Sequence, residues 1–276
     1  MSRENDHWEA YPSDVLVTTE RALFEAWDSL EKFHRDLVVV GGLAIHYHTR
    51  NKVEPLYFAA PTLDVDFGIS LGTDAGMKGS VQFDLSLADY QGDDEGRMVK
   101  TLKNGERLYI DFLTEHPPSE QGTRNVSDVT ASICPGINRA LEVREYAEIR
   151  GIDRLGDERT FQIPICGIGP LLVLKLNAFA KRQDDKKAKD AYDILVAVTA
   201  YSGGADAAIR AFQAEKLAGN PAMDLALKTL ARDFAEINGA GAAAASRFRY
   251  GSGKDSAFAV RLQTDLVSVA QALLES

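Results

Sequence analysis

Residues 36–70 read DLVVVGGLAIHYHTRNKVEPLYFAAPTLDVDFGIS, and the organisation of the chain follows from them. Leu37–Val40 is a run of four apolar residues, three of them β-branched, stopped by Gly41 and Gly42. That pattern predicts a buried strand ending in a tight turn. Residues 43–48 then continue as the start of a helix. A strand, a diglycine turn and a helix N-terminus leave unpaired backbone N–H groups directed into one small space, where the helix dipole adds positive potential. Gly41 and Gly42 are thus candidates to seat phosphate, although a Gly-Gly after a strand can equally be a plain turn.

Residues 62–70, TLDVDFGIS, alternate strictly. Leu63, Val65, Phe67 and Ile69 fall on one face of a strand, and Thr62, Asp64, Asp66 and Gly68 on the other. Two carboxylates side by side repel each other unless a cation lies between them, and hard divalent cations prefer such oxygen ligands. Asp64 and Asp66 are therefore candidate ligands for Mg2+ carrying a nucleotide, with Mn2+ as a chemical substitute. A solvated strand face is the plain alternative for the D-x-D alone; the order, strand-turn-helix and then acid-bearing strand, is what joins the two halves.

Two-metal chemistry needs a third carboxylate from a neighbouring strand, able to bridge to a metal and to help deprotonate the attacking hydroxyl. Two segments offer one. In SVQFDLSLAD, residues 80–89, alternation places Val81, Phe83, Leu85 and Leu87 inward and Asp84 outward, as on a second strand. In RLYIDFLT, residues 107–114, Leu108, Ile110 and Phe112 share one face, and Tyr109, Asp111 and Leu113 the other. A charge embedded among apolar residues is costly unless something compensates for it, which favours Asp111 over Asp84. Residues 89–105 between these segments read as a polar connection with Asn104-Gly105 as its turn.

The arrangement GG, helix, D-x-D resembles the opening motif of the polymerase-β-type nucleotidyltransferase superfamily. GGLAIHYH followed by TLDVDF is most similar to the AbiEii/AbiGii-type toxin branch, and RLYIDFLT resembles the strand bearing its third acid. The spacing of 22 positions from Gly42 to Asp64 departs from the usual shorter interval, so NKVEPLYFAAP makes a longer loop. Its Tyr57 and Phe58 either stack on a base or cover the core. His46, on the helix after Gly42, is a weaker candidate for the site, because similar sequences place a His about there.

The resemblance extends to KLNAFAKR followed by KDAYDI, a second signature in which a Lys and a downstream Asp complete the active site. Here these are Lys175 with Asp190 or Asp193. On the residues alone, Leu172, Lys175, Phe179 and Arg182 recur at helical spacing, so Lys175 and Arg182 interrupt an apolar stripe. They either snorkel to the surface or supply positive charge to a triphosphate. Lys189 and Asp193 form an i, i+4 pair expected on a surface helix, and the cluster Lys181, Arg182, Lys186, Lys187 and Lys189 reads as solvated helix ends or as a basic patch.

Length and composition bound the rest. The 276 residues, 45% hydrophobic and 26% charged, suffice for one large domain or two small ones. A net charge of −10 disfavours non-specific wrapping of nucleic acid. Two distant cysteines, Cys134 and Cys166, suit a reducing cytoplasm and read as buried small hydrophobes. MSRENDHWEAYPSD resembles neither a signal peptide nor an anchor, and no apolar stretch approaches the ~20 residues that span a bilayer.

The remaining segments read as a packing helix over residues 18–35, a helix over 138–146, and a short strand FQIPICG, with Pro164 suggesting a sheet edge. Helices follow over 206–217, 222–237 and 255–274, with NGAGAAAASRFRYGSGKD as a flexible linker before the last.

The expectation is an α/β (α+β) chain. Residues 1–166 form a nucleotidyltransferase core with a small mixed β-sheet flanked by helices, and residues 167–276 form a helical domain. The resemblance implies transfer of a nucleoside monophosphate from an NTP such as ATP to an acceptor hydroxyl. Two Mg2+ ions are held by Asp64, Asp66 and Asp111, and phosphates by Gly41, Gly42, Lys175 and Arg182. It also implies a tRNA end or a protein as acceptor and a toxin paired with a cognate antitoxin. A small-molecule acceptor, as in antibiotic-modifying nucleotidyltransferases, and a non-catalytic scaffold are the alternatives.

Overall fold

A computed structural model describes residues 7–11, 14–70, 79–115, 122–153, 156–182, 186–251 and 256–275. The chain separates into two units, one of residues 13–44 and 61–167, the other of residues 1–12, 45–60 and 168–276. Most of residues 1–14 lie outside the described residues. Among those described, no helix is long and apolar enough to cross a membrane.

The first unit is built on a mixed sheet. Strand β1 (Leu37–Val40) is completely buried, which is why its sequence is apolar without alternation. It pairs antiparallel with β2 (Asp64–Ile69) and parallel with β9 (Glu158–Cys166). Strand β2 pairs parallel with β5 (Arg107–Thr114), β5 antiparallel with β4 (Met98–Thr101), and β4 with the short β3 (Gln91–Gly92). At its other end β5 pairs parallel with β7 (Val129–Ile133), which forms a hairpin with β6 (Thr123–Val126). Strand β8 (Arg144–Ile152) runs antiparallel beside β9. Among the described residues the sheet has nine strands, larger than the small sheet expected.

Helix α1 (Asp14–Ser29) covers one face of this sheet. Its Trp27 ring lies 6.3 Å from Phe67, which lies 6.0 Å from Phe112, and Phe24 meets Phe161 at 5.1 Å. A 3-10 segment, Glu31–Asp36, follows in place of the last helical turns expected to residue 35. Helix α2 (Gly41–Thr49) leaves β1 directly. On the opposite face of β2, a Cβ at Gly68 would come within 2.9 Å of Val38 and 3.3 Å of Ile137, so the small helix α4 (Ile137–Glu142) packs closely there.

Several expectations need correction. Residues 81–86 form a short helix, α3 (Val81–Ser86), and not a strand. Val81 and Leu85, four apart, are buried, whereas Phe83 and Leu87 are exposed. The Ser80 hydroxyl accepts from Phe83 N–H, and the Asp128 carboxylate accepts from Val81 and Gln82 N–H, so caps override the alternating pattern. The helix expected to Tyr146 stops at Glu142, because residues 144–152 pair with β9. Pro164 lies inside the sheet, on β9 between β1 and β8; the missing N–H is tolerated where β9 meets β1 at Val39↔Ile165 alone. Cys166 is buried but Cys134 only half-buried, and neither forms a disulfide.

The second unit is helical: α5 (Ile168–Lys181), α6 (Lys186–Thr199), α7 (Ala205–Leu217), α8 (Met223–Thr229) running into a π-turn at Leu230–Phe234, α9 (Ala240–Tyr250) and α10 (Ala257–Leu274). Residues 240–250 are thus a helix where a linker was expected. Its small residues make a packing surface: Ala242, Ala244, Ala245 and Phe248 are buried, and a Cβ at Gly241 would strike Phe234 at 2.4 Å.

A single cut at 166/167 does not describe the division, because two earlier segments join the helices. Trp8 packs edge-on against Tyr192 and Phe248. Tyr57 donates to Asp265 at 2.7 Å, Tyr192 to the Phe58 carbonyl at 3.0 Å, and Ser202 to the His48 carbonyl. Tyr57 is accordingly buried and Phe58 exposed.

Candidate active site

Register brings the predicted acids together. Val40 lies opposite Asp66, and Asp66 opposite Asp111. Residues opposite each other in a sheet point to the same side, so Asp66 and Asp111 share a face, with Asp64 two positions along. Like charges opposite each other are destabilising, and a cation is required. Arg97 supplies one. Strands β4 and β5 pair Met98 with Ile110, and one further step sets Arg97 opposite Asp111. Its Nε donates to Asp111 Oδ1 at 2.8 Å, and its Nη2 meets Asp64 Oδ2 at 3.4 Å. The guanidinium also lies 4.1 Å from the centre of the Tyr109 ring on the same face.

Burial alone would lower the Arg97 pKa, but the negative charges of Asp111, Asp64 and Asp66 outweigh it and hold the value above the ordinary one. One cation therefore feels all three acids. Its backbone is fixed by the turn at residues 93–97, where Asp93 Oδ1 accepts from Glu95 N–H at 3.0 Å and Arg97 N–H at 2.9 Å. Gly96 permits this turn with φ +82°, and a Cβ there would come within 2.7 Å of Thr130.

The diglycine bend lies beside the same row. Gly41 begins α2 with φ +67°, and a Cβ on it would approach Asp66 Oδ2 to 1.9 Å. The amino end of α2 therefore abuts the Asp66 carboxylate, a favourable place for negative charge. Gly41→Ala combines a left-handed backbone with this collision. It is expected to destabilise the sheet unit by roughly 2 kcal/mol and to displace Asp66. Thermal unfolding checks the first effect and divalent-ion affinity the second.

Asp84 is not part of this group. It is buried on α3 and paired with Lys32 at 3.4 Å. His46, on α2 within the helical unit, lies with its ring 5.2 Å from Tyr47. Reading residues 89–105 as a polar connection gives Arg97 no role. The signal was present: a hairpin turning at Asn104 pairs residues equidistant from it, and 97 and 111 are each seven away.

The remaining candidates form a second cluster, in the helical unit. Lys175 Nζ donates to Asp190 Oδ1 at 3.0 Å and to Asp193 Oδ2 at 2.7 Å. Lys189 donates to Asp193 at 2.9 Å, and Arg182 to Asp190 at 2.5 Å. Both aspartates are 1% exposed. Lys189 and Asp193 are thus the expected i, i+4 pair, but buried and not on a solvated surface. Lys187 is also more than a solvated helix end, lying 4.4 Å from the centre of the Phe179 ring.

Desolvation would lower the Lys175 pKa, but Asp193 and Asp190 more than reverse it, so the lysine stays charged. Desolvation would likewise raise Asp193, but Lys175 and Lys189 hold it below its ordinary 3.8. A depressed carboxyl contributes stability that is present above its unfolded pKa and lost as pH falls through the folded one. The melting temperature of the wild type should therefore fall more steeply below pH ~4 than that of Asp193→Asn, as unfolding followed from pH 6 to 2 would reveal.

Among the described residues, no group of three or more His, Cys, Asp and Glu side chains is disposed to hold a metal ion. The three acids of the sheet, although not so disposed, have the donor chemistry for one. They are hard oxygen donors on a single face, each about a quarter exposed at Asp64 and Asp111, and their charge already draws in a cation. Asp64, Asp66 and Asp111 are the residues that would hold divalent ions.

In comparisons with protein-family models, curated proteins and solved structures, the chain matches none.

Proposed function

We propose that the sheet unit carries a metal-dependent nucleotidyltransferase site. The single observation that carries this reading is the row Asp66–Asp111–Arg97, with Asp64 beside it and the Gly41 bend against Asp66. Divalent ions held by the acids would supply positive charge to the triphosphate and lower the pKa of an attacking hydroxyl. Gly41 and Gly42 N–H groups at the start of α2 bind phosphate oxygens. Asp111 accepts the proton of the acceptor hydroxyl, and the nucleoside monophosphate passes to that oxygen with release of pyrophosphate.

The resemblance extends the proposal to ATP or another NTP as donor, a tRNA end or protein hydroxyl as acceptor, and a toxin held by a cognate antitoxin. It also gives Lys175, oriented by Asp190 and Asp193, and Arg182 a part in phosphate binding. In favour of that part, Lys175 holds its proton firmly, and Arg182 is the most exposed member of the cluster, with 45% of its side chain accessible.

A second reading, a scaffold without catalysis, is favoured by Arg97, which already compensates the acids. A thermal shift with each NTP and Mg2+ separates the two. A catalyst is expected to gain about 2.7 kcal/mol at a hundredfold excess of ligand over Kd, and Asp64→Ala to gain none. No shift with any NTP favours the scaffold. Incubation with labelled NTPs and cell extract then identifies the acceptor by whether label enters RNA, protein or small molecules.

A further inference from the structure

We propose that Arg97 is the resident counter-ion of the acid row and that divalent cations enter by displacing its guanidinium. The inference rests on the metal reading above and adds to it a residue that sets the affinity for the ion. Arg97 bridges Asp111 and Asp64 from the position opposite Asp111, and so fills the space in which an ion shared by those carboxylates would sit. Among the described residues the acids are not disposed as a metal cage.

Arg97 faces carboxylates on two neighbouring strands, whose oxygens are of the kind that hard divalent ions prefer. The exchange asks little of the backbone. The 93–97 turn is held by its own hydrogen bonds, independent of the guanidinium. Tyr109 offers the departing side chain an aromatic face on which it already rests.

The test is Mn2+ binding to the full chain, followed by loss of the free-ion paramagnetic resonance signal, for wild type, Arg97→Gln and Arg97→Lys. Removing a charge-assisted competitor should tighten Mn2+ binding about tenfold in Arg97→Gln. Arg97→Lys, which keeps the charge but loses the two-pronged contact, should fall between. Equal or weaker binding by Arg97→Gln overturns the proposal, and Arg97→Lys binding no tighter than wild type assigns the effect to charge alone and also overturns it. Should Arg97→Gln not fold, Arg97→Lys decides: tighter binding than wild type supports displacement, equal or weaker binding overturns it. No Mn2+ binding by any of the three removes the metal reading itself, whereas binding that ignores Arg97 removes only this inference.

Discussion

Lys175→Met is expected to destabilise the helical unit by roughly 3–5 kcal/mol, since removing one partner of a buried ion group strands the others. Asp190 and Asp193 are almost fully buried, and Lys175 donates to both. Arg182 remains for Asp190, and Lys189 for Asp193. One Asp193 oxygen already has no hydrogen-bond partner among the described residues, so further loss falls on a site with nothing in reserve. In thermal unfolding the effect should amount to ~10 °C or more. Lys175→Met with Asp193→Leu should recover only part of it, because it removes the Asp193 charge but leaves Lys189 and Asp190 each without one partner. If the single variant were as stable as the wild type, the cluster would have to be solvated when the chain breathes, contrary to its burial.

The second large effect bears on the nucleotidyl transfer proposed above. Asp66→Asn keeps the shape of the side chain and removes one of two negative charges that face each other across β2 and β5. Nucleotidyl transfer, measured as pyrophosphate release, should drop roughly a thousandfold, the equivalent of several kcal/mol of lost charge stabilisation. The melting temperature should hold or rise, because the like-charge opposition to Asp111 is relieved. The two readouts moving apart is the signature of a residue kept for chemistry. A fall in both would make Asp66 a structural acid, held for its contact with the start of α2.

Much of this site was legible in the sequence because it depends on short periods. Alternation over residues 62–70 and 107–114 puts Asp64, Asp66 and Asp111 on defined strand faces, and a period of two leaves no freedom once one face is apolar. The break at Gly41 and Gly42 likewise marks the end of β1, since a left-handed residue there favours glycine. Helices α5 and α6 follow from spacing, whereas the grouping of Lys175 with Asp190 and Asp193 rests on the resemblance.

What local pattern could not decide was partnership. Residues 81–86 alternate as a strand would, but a carboxylate 47 residues away from Val81 caps them into a helix. The alanines of 240–250 look like a linker until Phe234 stands against Gly241. Trp8 and Tyr57 belong with the helices through contacts to Tyr192, Phe248 and Asp265. Arg97 becomes the counter-ion of the acids only when β4 docks on β5. Outside residues 81–86, where the helix turns Phe83 and Leu87 outward, the sequence set which face a residue presents, because that is fixed by backbone geometry. What that face meets depended on long-range pairing, whose stabilisation comes from burial and charge compensation between segments far apart in the chain.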